Sequence, residues 1–174
     1  MDWNVFYWVL GILALIYIFL LIFTLSFLLS FKGRLKRKTT AFLVLLSEKK
    51  EVLLSLVSLY QELGAHYEEA DLEWIRKVTL IEKKKIKGSD IVPLNATLSN
   101  LEKRLRYIAS SNKSLQENEN FISLISLLDD LNSNYRRMVA TYNSDLVGYE
   151  YWRKQPLYRG WFFLFGFRKK ERIH

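Results

Sequence analysis

The sequence predicts an all-α protein: an N-terminal transmembrane helix, a long antiparallel helical hairpin or bundle of three to four helices, and an aromatic, basic C-terminal tail. Three observations predict it. Residues 5–31 form an apolar run of 27 residues. Only 2 Pro and 7 Gly occur in 174 residues, which favours long uninterrupted helices over a β-sandwich or a Gly-rich phosphate loop. Beyond the run, apolar residues recur at alternating steps of three and four, the period of a helix that buries one face. The chain divides on this basis into an anchor (1–31), a basic juxtamembrane segment (32–38), a helical bundle (39–151) and an aromatic-basic tail at the membrane interface (152–174).

The run 5–31 contains no Asp, Glu, Lys, Arg, Asn, Gln, His or Pro. A helix needs about 20 apolar residues to cross the hydrocarbon core, so it can span with tilt to spare. Five cations follow within seven residues: Lys32, Arg34, Lys36, Arg37 and Lys38. Before the run stands one anion, Asp2, and no basic side chain. Cations flanking a span stay on the cytoplasmic side, which puts the N-terminus outside and the bulk of the chain in the cytoplasm. A cleaved signal peptide would carry a basic start, a shorter apolar core of roughly 7–15 residues and a small-residue cleavage site; this run has none of these.

The remaining length suits one domain. With no Cys, the chain has no disulfide framework, thiolate metal site or cysteine nucleophile. Mean hydropathy of −0.01 averages a greasy anchor with a charged remainder. Net charge of +8 raises a nucleic-acid reading, but the cations gather at 32–38 and 153–172, with a smaller run at Lys83–Lys87. An anionic membrane surface competes well as their partner, and no nucleic acid is expected.

From Thr39 to about Lys85 the seam reads Leu46, Leu53, Leu56, Tyr60, Leu63, Tyr67, Ala70, Trp74, Val78 and Ile81, with Gly64 the only helix breaker. Gly88 and Pro93 bracket the first real break, a helix end followed by a helix first turn. A second helix carries Leu94, Leu98, Leu101, Leu105 and Ile108. Ser111–Lys113 interrupts it, and Ser114 with Glu117 three residues on reads as a capping box. A third helix carries Phe121, Leu124, Leu128, Leu131, Tyr135, Met138, Tyr142, Leu146 and Tyr149. The economical topology is one long helix leaving the membrane and two shorter ones returning beside it; the alternative folds the third helix away again.

The tail interleaves Trp152, Trp161, Phe162, Phe163, Phe165 and Phe167 with Arg153, Lys154, Arg168, Lys169, Lys170 and Arg172. Aromatics with cations are the composition of the membrane–water interface, and the apolar stretch 161–165 is too short to span. The competing reading has these aromatics cap the hydrophobic end of the bundle.

Asn118-Glu119-Asn120-Phe121, then Tyr142-Asn143, Tyr149, Pro156 and Phe165-Gly166-Phe167 followed by Arg168-Lys169, resemble the C-terminal half of the LemA family. Val52-Leu53-Leu54-Ser55-Leu56-Val57 stands where that family has L-I-P-N-L-V, with His66 and Arg76 near a family His and Arg. Leu54-Ser55, Glu150 and Gln155 depart from the pattern. The resemblance covers roughly 45–170 and implies a single-pass protein of the bacterial cytoplasmic membrane with an antiparallel helical bundle, and no catalysis.

The residues themselves offer little chemistry. There are two His, and His66 with Glu62, Glu69 and Glu73 is an ordinary charged-helix pattern before it is a metal site. Asp129-Asp130 and Glu68-Glu69 are consecutive and point to different faces, so neither is a general acid–base pair. No cofactor is expected. Asn118, Asn120, Asn132, Asn134 and Asn143 either fix register on a helical seam or serve as caps and solvated side chains. The leading expectation is a non-enzymatic, membrane-anchored helical scaffold that forms homo-oligomers or docks other membrane proteins on the cytoplasmic face. The alternative is a membrane-remodelling or lipid-sensing protein that grips the bilayer through both anchor and tail.

Overall fold

The computed structural model of the chain describes residues 3–64, 66–81, 88–156, 159–167 and 169–173, leaving aside the side chains of Arg159, Trp161 and Leu164. Among them every regular element is helical and no strand occurs. The order is α1 (Trp3–Glu62), α2 (Glu69–Leu80), a 3-10 turn (Gly88–Asp90), α3 (Ile91–Ser110), α4 (Lys113–Gln116), α5 (Glu119–Arg153) and α6 (Arg159–Leu164). The basic run Lys83–Lys87 falls outside the described residues.

α1 is a single helix of 60 residues. The expected anchor, basic segment and first bundle helix are one backbone, because Lys, Arg and Leu between 32 and 38 all propagate a helix. The helix expected to reach Lys85 ends at Glu62 instead. Gly64 adopts φ 70°, its N–H bonding to the Gln61 carbonyl at 3.2 Å. That left-handed conformation suits glycine and turns the chain out of the helix. α2 starts five residues later, where the Glu68 N–H donates to Asp71 Oδ2 at 3.1 Å and satisfies a donor at the helix entry.

The chain forms two compact units: Lys38–Ala140 with Ile173–His174, and Met1–Arg37 with Thr141–Arg172. In the first, the core is drawn from Phe42, Leu46, Leu53, Leu56 and Tyr60 of α1, Val78 of α2, Leu94, Leu98, Leu101 and Leu105 of α3, and Phe121, Leu128, Leu131 and Tyr135 of α5. Contacts set the directions. Tyr60 meets Phe121 and Phe42 meets Tyr135, with ring centroids 6.1 and 5.4 Å apart, so α5 runs opposite to α1. Lys49 meets Ser99 and Tyr60 meets Leu105, so α3 runs along with α1. The expected pair of helices returning together is therefore corrected: α3 runs along with α1, α5 returns without it, and 111–118 reverses the chain. The physical reason is the break at Gly64, which ends α1 early and puts α2, packed on α3, between α1 and α3 in the chain.

Two asparagines build that reversal. Asn112 Oδ1 accepts the Ser114 N–H at 3.1 Å and caps α4. Asn118 Oδ1 accepts the Phe121 N–H at 3.1 Å while its carbonyl takes the Ile122 N–H, which starts α5. Asn112 takes the capping place expected of Ser114, whose hydroxyl instead donates to Asn112 at 2.6 Å.

A Cβ at position 64 would meet open space, so only the backbone resists a side chain there. Gly64→Ala is expected to destabilise this unit by about 1–2 kcal/mol, the left-handed penalty for a non-glycine residue. Thermal melting of the full chain in detergent, followed by circular dichroism, checks the shift.

Candidate functional site

The first part of α1 is unusual for its exposure. Every residue from Trp3 to Leu20 is exposed, Trp8 at 75% and Phe19 at 70%. An 18-residue window of α1 has mean hydropathy 2.9 with 11% of it buried, so this helix is long and apolar enough to cross a membrane. Burial begins at Thr24, whose hydroxyl is turned inward onto the Leu20 carbonyl at 2.8 Å, and continues at Leu28.

From Phe27 onward the C-terminal segment packs on α1. Trp152 stacks on Phe27 with centroids 5.5 Å apart, and the Phe31 ring lies over Gly148, where a Cβ would come within 2.7 Å of it. The Lys32 ammonium sits 5.2 Å above the Phe167 ring, while the Arg34 guanidinium covers Phe31 at 4.3 Å and stands 3.9 Å from Asp145. Lys36 and Arg37 are exposed and Lys38 is half-buried.

α6 closes with a glycine cap. Gly166 has φ 70°, its N–H reaches the Phe163 carbonyl at 3.1 Å, and the Phe167 N–H reaches the Phe162 carbonyl at 3.0 Å. This paired bonding defines a Schellman ending, and the accompanying hydrophobic contact is present as Phe162 edge-on to Phe167 at 5.9 Å. Farther along, the Lys170 N–H bonds the Glu150 carboxylate, and the Tyr142 hydroxyl donates to the Glu171 carbonyl at 3.4 Å. Burial raises the Glu150 carboxyl, but the Arg153 guanidinium at 2.7 Å and that backbone N–H outweigh it and hold it below the usual range.

The tail aromatics thus divide. Phe162 and Phe167 are buried, Trp152 is half-buried, and Phe163 and Phe165 are exposed at 85% and 54%. Lys154, Lys169 and Arg172 are exposed, Lys170 and Arg153 half-buried, and Pro156 lies exposed in the turn after α5. Arg168 and the Trp161 side chain lie outside the described residues.

The bundle unit contains a polar cluster that sequence reasoning missed. Lys49 is 1% exposed, and its ammonium meets Glu102 Oε2 at 3.0 Å, Asn132 Oδ1 at 2.7 Å and Ser99 Oγ at 3.2 Å. Its three protons match three acceptors. Glu102 Oε1 in turn accepts from Asn132 Nδ2 at 2.9 Å and from Arg106, which reaches on to Asp129 at 2.6 Å. One charge signal was readable: the seam steps by seven from Leu46 to Leu53, and Lys49 and Lys50 occupy the gap, both buried.

At the other end of this unit Tyr60 and Tyr67 stack with centroids 6.4 Å apart. Tyr60 donates to the Leu105 carbonyl at 2.6 Å and Tyr67 to the Val57 carbonyl at 2.9 Å. Burial, then the Asp71 charge, push the Tyr67 phenol up to about 12. Burial, then Tyr67, push Tyr60 higher, against Arg106. Arg104 clamps Asp71 at 2.6 Å and Glu68 at 2.9 Å.

The remaining sequence candidates do not converge. Glu119 and Asn120 are exposed on the first turn of α5, Asn143 is half-buried, and Tyr142 and Tyr149 are buried. The break at 63–68 removes the shared helix face that would have joined His66 to Glu62 and Glu69. Among the described residues no group of three His, Cys, Asp or Glu is placed to hold a metal ion. No family model, curated protein or solved structure matches the chain. Of the residues singled out from the sequence, Asn118 is a helix cap and Gly166-Phe167 a helix ending.

Two outcomes follow from this geometry. Glu102→Ala strands a buried ammonium and is expected to cost about 3–5 kcal/mol, whereas Asp129→Ala at the exposed end costs less than about 1 kcal/mol; denaturant melts of the two variants check the ratio. The raised phenols bind their protons more tightly in the folded state. Their contribution is complete below about pH 10, the unfolded phenol value, and is lost as pH rises from there toward 12. Tyrosinate absorbance and helicity should therefore change together in alkaline titration, and Tyr60→Phe should uncouple part of the change.

Proposed function

We propose that this chain is a non-enzymatic, membrane-anchored helical scaffold of the LemA type. In this reading α1 crosses the bacterial cytoplasmic membrane with its N-terminus outside, and the bundle works on the cytoplasmic face by self-association or by docking other membrane proteins. The observation that carries the reading is the continuity of α1: one helix passes from side chains exposed on every face to side chains buried on one. The fully paired Lys49–Glu102–Asn132 cluster supports a structural role, because its donors and acceptors are spent on one another. Exposed apolar side chains on the bundle helices, among them Val44, Tyr107 and Ile122, supply surface for helix–helix docking.

The natural absence of Cys makes single-cysteine mapping direct. With Asn4→Cys and Tyr107→Cys made separately, a membrane-impermeant maleimide applied to intact cells should label position 4 and reach position 107 only after permeabilisation. Crosslinking in the native membrane, read by mass spectrometry, should return contacts between copies or with other membrane proteins. Labelling of position 107 in intact cells would overturn the orientation, and a strictly monomeric, uncrosslinked chain would overturn the scaffold.

A further inference from the structure

We propose that the α6 turn is a second bilayer contact, in which Phe163 and Phe165 enter the cytoplasmic-side interface of an anionic lipid monolayer while Lys154, Lys169 and Lys170 meet its headgroups. The proposal rests on the reading of the exposed apolar start of α1 as a membrane span.

Depth is the first argument. Residues 5–31 carry no charged side chain and Lys32 is the first cation after them, so Lys32 marks where the span would enter the headgroup zone. The tail meets α1 at that point, with the Phe167 ring under the Lys32 ammonium. Phe162 is joined to Phe167 both by its backbone carbonyl and by its ring. The turn carrying Phe163 and Phe165 is therefore held at interfacial depth by contacts within a single compact unit.

Division of labour is the second argument. A short aromatic turn that only closed a hydrophobic core would bury its rings. Here the Schellman ending buries Phe162 and Phe167 and leaves Phe163 85% and Phe165 54% exposed. Large aromatics left in water at that level lose apolar burial that lipid would restore.

Charge is the third. Lys154 and Lys169 are exposed and Lys170 half-buried on the segments flanking the turn, so the aromatic pair is bracketed by cations. That pairing fits an anionic membrane surface, where each lysine near the surface contributes about fivefold in occupancy.

The test uses the full chain reconstituted in phosphatidylcholine vesicles with and without phosphatidylglycerol. Phe163→Cys and Phe165→Cys are labelled with an environment-sensitive fluorophore, with Leu13→Cys marking the span and Tyr107→Cys the aqueous bundle surface. Phe163 is 85% exposed, so a label at that position leaves the fold intact. Nitroxide lipids should quench positions 163 and 165 best when the nitroxide is shallow and position 13 best when it is deep. Removing phosphatidylglycerol, or combining Lys169→Glu with Lys170→Glu, should reduce the shallow quenching several-fold. Quenching at 13 with none at 163 and 165 would overturn this contact while leaving the span standing. No quenching at 13 would overturn both. Shallow quenching indifferent to lipid charge would overturn the role of the lysines.

Discussion

Backbone hydrogen bonding constrains the molecule more than any side chain does. An apolar segment in hydrocarbon must satisfy every N–H and C=O within itself, and a single helix is the solution open to one segment. The same ladder of bonds runs on through the basic stretch 32–38 into the bundle, because nothing there breaks it. Gly33 costs on the order of 1 kcal/mol in a helix interior, too little against sixty residues of cooperative structure. The helix stops only where a left-handed glycine and the Glu68–Asp71 entry offer the backbone other partners. α1 is thus one unbroken bond ladder that runs from an exposed apolar stretch into helix buried on one face.

Within the bundle unit the Lys49 cluster shows how charge can be carried in a helical core. Taking an ammonium and a carboxylate out of water costs several kcal/mol each, and attraction alone seldom repays it. Here Asn132 bonds both ions at once, accepting from Lys49 and donating to Glu102, while Ser99 and Arg106 take the remaining sites. Any slip of α1, α3 or α5 past its neighbours would break several of these bonds together, whereas leucines would slide with less penalty. The cluster is better suited to fixing register than to adding stability, the use best attested for polar residues at a helical seam.

Much of the helical pattern was legible because burial follows the 3.6-residue period directly: Leu53, Leu56 and Tyr60, Leu98, Leu101 and Leu105, Leu128, Leu131 and Tyr135 all lie in the core as their spacing predicts. What escaped was decided by which of several available partners each group meets in the folded chain. Gly64 was visible as a breaker, but whether one glycine ends a helix depends on what receives the chain beyond it, here the Glu68–Asp71 pair and the Tyr67 bond to Val57. Lys49 showed as a gap in the seam, yet its acceptors lie 50 and 83 positions away. The capping box at Ser114 was a sound local pattern that lost to Asn112, whose side-chain oxygen already accepts the Ser114 N–H.

The tail carries the same lesson at the level of single residues. Composition alone treats Phe162, Phe163, Phe165 and Phe167 as one aromatic belt. Geometry separates them, because a Schellman ending forces the third residue before the cap and the second residue after it onto the same side. Phe162 and Phe167 occupy those two places and must meet, and they do, beneath Lys32. Phe163 and Phe165 then have no room on the buried side and are turned outward. Their exposure follows from the position of Gly166, which makes a backbone conformation, rather than any property of the rings, the feature that sorts packing aromatics from those offered to the surroundings.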